Sequence, residues 1–277
     1  MKHLLDGATA VGVAAQGAIG ERLEHFEALT ALLAAVFVGR HSAIYQGGLG
    51  NVSHCNAGTL STIPHQVEDR PSSKLRSVNP AVVVGALVVS YLIGSVDFAV
   101  VVARMHGVDI HEVGSGNPGT SNVMRTLGRG PAVTVFIGDT LKGVIAAAVG
   151  AFLIADADPL SPWAFAAGLA AVVGHCYPVY HGFKGGKGIA TGGGVLLFCV
   201  PIAAVILTLT WALVAKLGKV ASVASLVVVV LTLPLAYWQG VRWPALGVLV
   251  AMLALVTFRH RGNISRIVRR AEQKVIS

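Results

Sequence analysis

The sequence predicts an all-α membrane protein, and three observations carry that reading. Hydrophobic residues make up 54% of the 277 positions and charged residues only 12%, against about 25% charged in a typical soluble domain. Mean hydropathy is +0.71. Several apolar runs approach or exceed the ~20 residues that a spanning helix needs, and none shows the two-residue alternation of a strand. Polar residues gather in a few short clusters between the runs.

Residues 1–79 read as an N-terminal extension. Leu23, Phe26, Leu29, Leu32 and Leu33 fall at helical spacing, so 19–39 is expected to form one weak helix. A Gly-, Ser-, Asn- and Pro-rich linker without periodicity follows. No secretory signal is read here, because Asp6, Glu21 and Glu24 interrupt any apolar h-region. Cys55, Cys176 and Cys199 have no paired spacing and are read as free thiols, with no metal site.

The membrane domain is expected over 80–277. A first span covers 81–105 and a second 131–154, followed by the acidic "ADADPLSP". A third, "WAFAAGLAAVVGHCYPVY", leads into "HGFKGGKG". An apolar stretch from Ile189 to Ala215 precedes "KLGKVAS"; two more spans follow before the basic tail "RHRGNISRIVRRAEQKVIS".

Charge orients these spans. The extension holds six basic and six acidic residues, so the whole net charge of +8 lies in the membrane domain. The positive-inside rule puts Arg125, Arg129, Lys184, Lys187, Lys216, Lys219 and the 259–274 tail in the cytoplasm, and Asp156 and Asp158 outside. Between Lys187 and Lys216 the chain must then cross twice. Yet 27 helical residues are only ~40 Å long, against a ~30 Å hydrocarbon core. Pro201 is the natural break, giving two short or re-entrant segments. The expected topology has seven transmembrane helices, with the N-terminus outside and the C-terminus cytoplasmic. The basic excess is topological on this reading, which argues against nucleic-acid binding.

Three polar clusters then share the cytoplasmic face. In "GSGNPGTSNVMR", Gly114, Gly116 and Gly119 let backbone N–H groups converge on a ligand. Ser115, Asn117, Ser121 and Asn122 add neutral donors, and Arg125 offers a fork suited to phosphate. "GFKGGKG" combines Gly182, Gly185, Gly186 and Gly188 with Lys184 and Lys187 before a helix start, a favourable anion site. It is not a Walker A loop, since His181 and Gly188 occupy two of the defining positions. In "RHRGNISR", His260 and Asn263 share a helical face, while the surrounding arginines suit an anchor against anionic lipid.

Asp139 and Lys142 lie one turn apart inside the second span. Ionisable groups at that depth are paired or functional, so mutual pairing and direct contact with the site both stay open. His175, near Pro178, reads as a hydrogen-bonded orienter.

"YLIGS", "GSGNPGTSNVMRTLG", "DTLKG", "GHCYPVYHGFKGGKGIATGGGVLL" and "RHRGNISRIVRRAE" follow one another as in the bacterial acyl-phosphate:glycerol-3-phosphate acyltransferases. The chain resembles this PlsY family over residues 80–274. The resemblance implies an enzyme of the bacterial inner membrane, with its site on the cytoplasmic face. It implies transfer of a fatty acyl group from acyl phosphate to glycerol 3-phosphate, without cofactor, metal or obligate protein partner. Substrates and membrane lipids are its expected partners. It assigns essential roles to Ser115, Arg125, His260 and Asn263, a phosphate loop to Gly182–Gly188, and a structural role to Glu272. Three positions depart from the pattern: Thr120-Ser121 replaces Ala-Thr, Asp97 stands where proline is common, and Arg270 replaces a glycine.

The phosphate leaving group is already activated, and no base is evident beside Ser115. Direct attack of the 1-hydroxyl is therefore expected, with Arg125 and Lys184 countering phosphate charge and Ser115 and Asn263 binding the reactants. Either His260 or a substrate phosphate would take the proton. A transporter of a phosphorylated solute is the alternative. It would need polar residues near the midplane of several spans, where only Asp139 and Lys142 are candidates.

Overall fold

The structure, a computed structural model, describes residues 79–274. The weak helix and linker expected within 1–78 lie outside the described residues. Among those described, ten α-helices and one short 3-10 turn account for the regular structure, with no strand.

Helix α1 (Pro80–Ser95) starts with proline at its first position, after Asn79, whose side chain accepts from the Ala81 N–H at 2.9 Å. Proline suits this position because its missing N–H would be unpaired there anyway. Helix α2 (Phe98–Met105) continues the same apolar stretch after a break. Asp97 sits at that break, buried, with Oδ1 accepting from the N–H groups of Ala99 at 3.0 Å and Val100 at 3.2 Å. The apolar run of the first expected span conceals this break, which a side-chain cap makes possible.

A polar loop leads to α3 (Thr120–Thr126) and then α4 (Arg129–Ile154). Helix α5 (Pro162–Cys176) follows, started by Ser161, whose Oγ accepts from Ala164 N at 3.2 Å. The 3-10 turn Val179–His181 and the glycine-rich loop come next. Helix α6 (Ile189–Cys199) and α7 (Pro201–Gly218) meet at Val200, so the expected break at Pro201 is present. The remainder is α8 (Ala221–Trp238), α9 (Ala245–Arg259) and α10 (Arg261–Val268).

Small residues let the helices approach closely, as is common in membranes. A Cβ on Gly94 would collide with the Ala171 carbonyl, and one on Gly174 with that of Tyr91, joining α1 to α5. Gly143 and Gly194 play the same part between α4 and α6, against the carbonyls of Thr191 and Thr140.

Five helical stretches are long and apolar enough to cross a membrane, or six if α9 and α10, bent by 54°, count as one. With 11 residues, α6 is only ~16 Å long and below that threshold. Two hydrogen bonds mark where the two ends of α7 lie. Ala203, near the start of α7, donates its N–H to Gln239 Oε1 at 2.6 Å, beside the turn between α8 and α9. Ser222, just beyond the end of α7, donates to Glu272 at 2.9 Å, beside α10. Lys187, just before α6, also lies near Glu272, so α6 starts and α7 ends toward the same side and the chain reverses between them.

Candidate active site

The first polar loop is shaped by one side chain. Asn122 is buried; its Oδ1 accepts from Ser115 N at 2.8 Å, and its Nδ2 donates to the carbonyls of Val113 at 3.0 Å and Ile110 at 3.3 Å. Gly114 has φ +60° and leaves no room for a Cβ beside Asn122. Gly116 has φ +65°, and a Cβ there would come within 2.9 Å of the His111 carbonyl. Asn122 thus serves the loop itself, where the sequence suggested a ligand donor. Its amide presents the exposed Ser115 at the loop tip, with Asn117, Gly119 and Ser121 following around the bend.

Arg125 projects from α3 to the tail, where its Nε donates to the Lys274 carbonyl at 2.9 Å. Burial lowers the pKa of this guanidinium; Glu272 opposes that shift and Arg266 adds to it.

The glycine-rich loop turns through Gly182 at φ +58° and Gly188 at φ +86°. Its middle is wedged between two elements. The Gly186 N–H donates to the His175 carbonyl at 3.0 Å, and a Cβ on Gly186 would come within 2.7 Å of the Pro118 carbonyl. This contact brings the first and second polar clusters together. The two lysines of the loop occupy different surroundings. Lys184 is exposed and lines a cleft of about 560 Å³ with Arg104, Asp109, Glu112 and His181. Lys187 is half-buried, and its pKa is lowered to about 8. Burial is the main cause; Glu272 opposes it, while Arg266, Arg125 and Arg259 reinforce it. Lys187, rather than Lys184, shares the surroundings of Arg125.

The third cluster occupies the bend between α9 and α10. His260 is buried there, with Nδ1 2.8 Å from the Val256 carbonyl. A carbonyl only accepts, so Nδ1 carries the proton and Nε2 keeps its lone pair. Asn263 is buried on the same helical face and donates to Glu272 Oε1. Ser222 also donates to that oxygen, and Arg266 Nε donates to Glu272 Oε2 at 2.7 Å. Burial would raise the Glu272 carboxyl, but the hydrogen bonds from Asn263, Arg266 and Ser222 outweigh it and hold its pKa below the usual range. Glu272 therefore clamps the tail to the site.

Inside α4, Lys142 Nζ lies 2.8 Å from Asp139 Oδ1, 2.8 Å from His175 Nδ1 and 2.7 Å from the Val96 carbonyl. Asp139 and Lys142 thus pair with each other. The same ammonium ties the α1–α2 break to the end of α5. His175 bears on the loop from there, through its carbonyl and through a ring edge that a Gly186 side chain would strike.

Two contributors escaped the sequence reading. Ser222 lies 50 residues from Glu272, in the first turn of α8, with no motif around it. Arg259 looked like one more anchor arginine, yet its guanidinium reaches the carbonyls of Gly185 and Gly186.

A profile of the family described as glycerol-3-phosphate acyltransferase matches residues 84–270. The glycerol-3-phosphate acyltransferase of Halalkalibacterium halodurans is 42% identical over 193 residues, covering 67% of this chain and 92% of its own length. That of Thioalkalivibrio sulfidiphilus is 43% identical over 199 residues, covering 70% and 93%. The crystal structure of PlsY (YgiH), an integral membrane glycerol 3-phosphate acyltransferase, in its glycerol 3-phosphate form matches with a TM-score of 0.65 and 36% identity. It covers 69% of this chain and 94% of the other, and the lysophosphatidic acid form matches at 0.64 and 35%. With identity near 40% across the membrane domain and a shared fold, this chain belongs to the PlsY family of glycerol-3-phosphate acyltransferases.

Proposed function

We propose that the protein transfers a fatty acyl group from acyl phosphate to the 1-hydroxyl of glycerol 3-phosphate, giving 1-acylglycerol 3-phosphate and inorganic phosphate. Residues 80–277 carry the activity and 1–79 are an extension. The domain crosses the bacterial inner membrane seven times, with the N-terminus outside, the C-terminus inside and the site cytoplasmic. The reversal between α6 and α7 supports that count, because it lets a helix too short to cross alone contribute a seventh segment.

The observation that carries the reading is convergence. Lys187, Arg125 and Arg266 gather near Glu272, and Lys187 and Glu272 also face His260, at an end where the exposed Ser115 loop meets the glycine-rich loop. Cations and glycine backbone there suit two phosphorylated reactants, one of which keeps its chain in lipid.

The hydroxyl oxygen attacks the acyl carbonyl and forms the ester C–O bond. The bond from acyl carbon to phosphate oxygen breaks, and phosphate leaves with the electron pair. The hydroxyl proton passes to His260 Nε2, whose lone pair is kept available by the Nδ1–H bond to Val256. Lys187 and Arg125 counter phosphate charge, and Lys184 draws anions to the cleft. Ser115 and Asn263 hydrogen-bond the reactants. Among the described residues no hydrogen bond joins the Ser115 hydroxyl to a histidine or carboxylate, which favours a positioning role over a covalent one.

The test is release of phosphate from a long-chain acyl phosphate by the purified protein. Release that depends on glycerol 3-phosphate is expected. Glycerol 3-phosphate uptake into vesicles without any phosphate release would favour a transporter.

A further inference from the structure

Arg259 is not placed like an interfacial arginine. Arg261, two residues on, is exposed, stacks on the Phe258 ring at 4.3 Å and donates to the Phe258 carbonyl at 3.2 Å. Arg259 instead turns inward. Its Nη2 donates to the Gly185 carbonyl at 2.7 Å and its Nε to the Gly186 carbonyl at 3.1 Å. The guanidinium carbon lies 4.9 Å from the centre of the Tyr177 ring. The Tyr177 carbonyl in turn accepts from the Tyr91 hydroxyl at 2.9 Å. One fork thus joins the end of α9 to the loop, and the backbone of the tyrosine beneath it is tied to α1.

The orientation of the two carbonyls matters for anion binding. Each carries partial negative charge, so a carbonyl facing a phosphate would repel it. With both turned to Arg259, and the Gly186 N–H held by His175, the loop has little freedom to rotate a peptide unit. The backbone N–H groups of Lys187, Gly188 and Ile189 donate to no protein acceptor among the described residues. They lie at the start of α6, where unpaired N–H groups and the helix dipole favour an anion.

We infer that Arg259 is a positioning residue for the phosphate loop. It turns the Gly185 and Gly186 carbonyls away from the anion, so that the amides of Lys187 to Ile189 meet the phosphate, and it locks the loop to the His260-bearing end of α9. The identity of that anion as a substrate phosphate rests on the acyl-transfer reading. The guanidinium acts through the loop and makes no substrate contact. A lysine's ammonium could also donate to these carbonyls, but as a point charge on a flexible stem it lacks the planar fork that fixes the direction of both.

The experiment measures binding of glycerol 3-phosphate and of inorganic phosphate to the purified full chain by calorimetry, alongside KM and kcat. R259A should weaken phosphate-ligand binding and raise KM roughly ten- to a hundredfold, the effect of losing hydrogen bonds to a charged group, with kcat falling less. R259K should fall between R259A and the parent, and added guanidinium ion should restore part of the affinity of R259A. R261A removes the same charge without touching the loop and should bind normally. If R259A does not fold, R259K decides: parent-like affinity in R259K would overturn the inference. Equal losses in R259A and R261A would also overturn it, by showing a bulk charge effect. A parent chain that binds inorganic phosphate but not glycerol 3-phosphate would defeat the substrate reading, and the phosphate affinities of parent and R259K would still decide the role of Arg259.

Discussion

His260 places its Nδ1 2.8 Å from the carbonyl of Val256, one turn earlier in α9. This bond fixes the tautomer and the ring plane together, leaving Nε2 as the acceptor. If that nitrogen takes the hydroxyl proton, H260A should lower kcat by about 10²- to 10⁴-fold with KM little changed. Steady-state kinetics check this, and a loss below tenfold would shift the proton to a substrate phosphate.

Lys187 yields a pH prediction. With its pKa near 8, it is cationic below that pH and neutral above. Anion binding favours the cation, so KM for the phosphate substrate should rise as pH climbs through 8. K187A should raise KM more than it lowers kcat, and K187R should remove the rise above pH 8. A KM–pH profile for the three proteins checks both statements.

Asn122 uses both ends of its amide, accepting from Ser115 and donating to Ile110 and Val113. N122A leaves those groups short of partners and should cost about 1–3 kcal/mol. N122D sets a carboxylate oxygen against two carbonyls and should cost at least as much. Thermal unfolding in detergent checks the stabilities, and kcat should fall in both because Ser115 is no longer held.

The Asp139–Lys142 pair is buried in α4. K142A would leave an unpaired buried carboxylate and should cost about 3–5 kcal/mol. The double variant D139A/K142A should be more stable than K142A alone, since removing both charges removes the desolvation cost. Unfolding midpoints of the three proteins decide this.

Residues whose chemistry is local were legible in the sequence. Pro201 cannot continue a helix without strain, and it marks the α6–α7 break. Asp139 and Lys142 stand one turn apart in an apolar run, and they pair. Glu272 could be assigned a structural role only through family resemblance, and its clamp on Asn263 fits that role. Other features were hidden for physical reasons. The break at Asp97 interrupts no apolar pattern, because a capping carboxylate restarts the helix within two residues. Asn122 has the same donors and acceptors whether it holds a loop or a ligand, so composition cannot separate the two. Arg259 and Lys187 differ from Arg261 and Lys184 only in where the folded chain points them. Ser222 reaches Glu272 across 50 residues, a distance no local pattern spans.

The purified chain is mixed with long-chain acyl phosphate labelled in the acyl group, with and without glycerol 3-phosphate, and quenched in acid within a single turnover. One-step transfer predicts that label passes to 1-acylglycerol 3-phosphate only when glycerol 3-phosphate is present, with one phosphate released per product and no labelled protein. Acyl label on Ser115 that glycerol 3-phosphate discharges at the turnover rate would contradict direct attack. Phosphate release without any acylglycerol product would contradict acyl transfer itself.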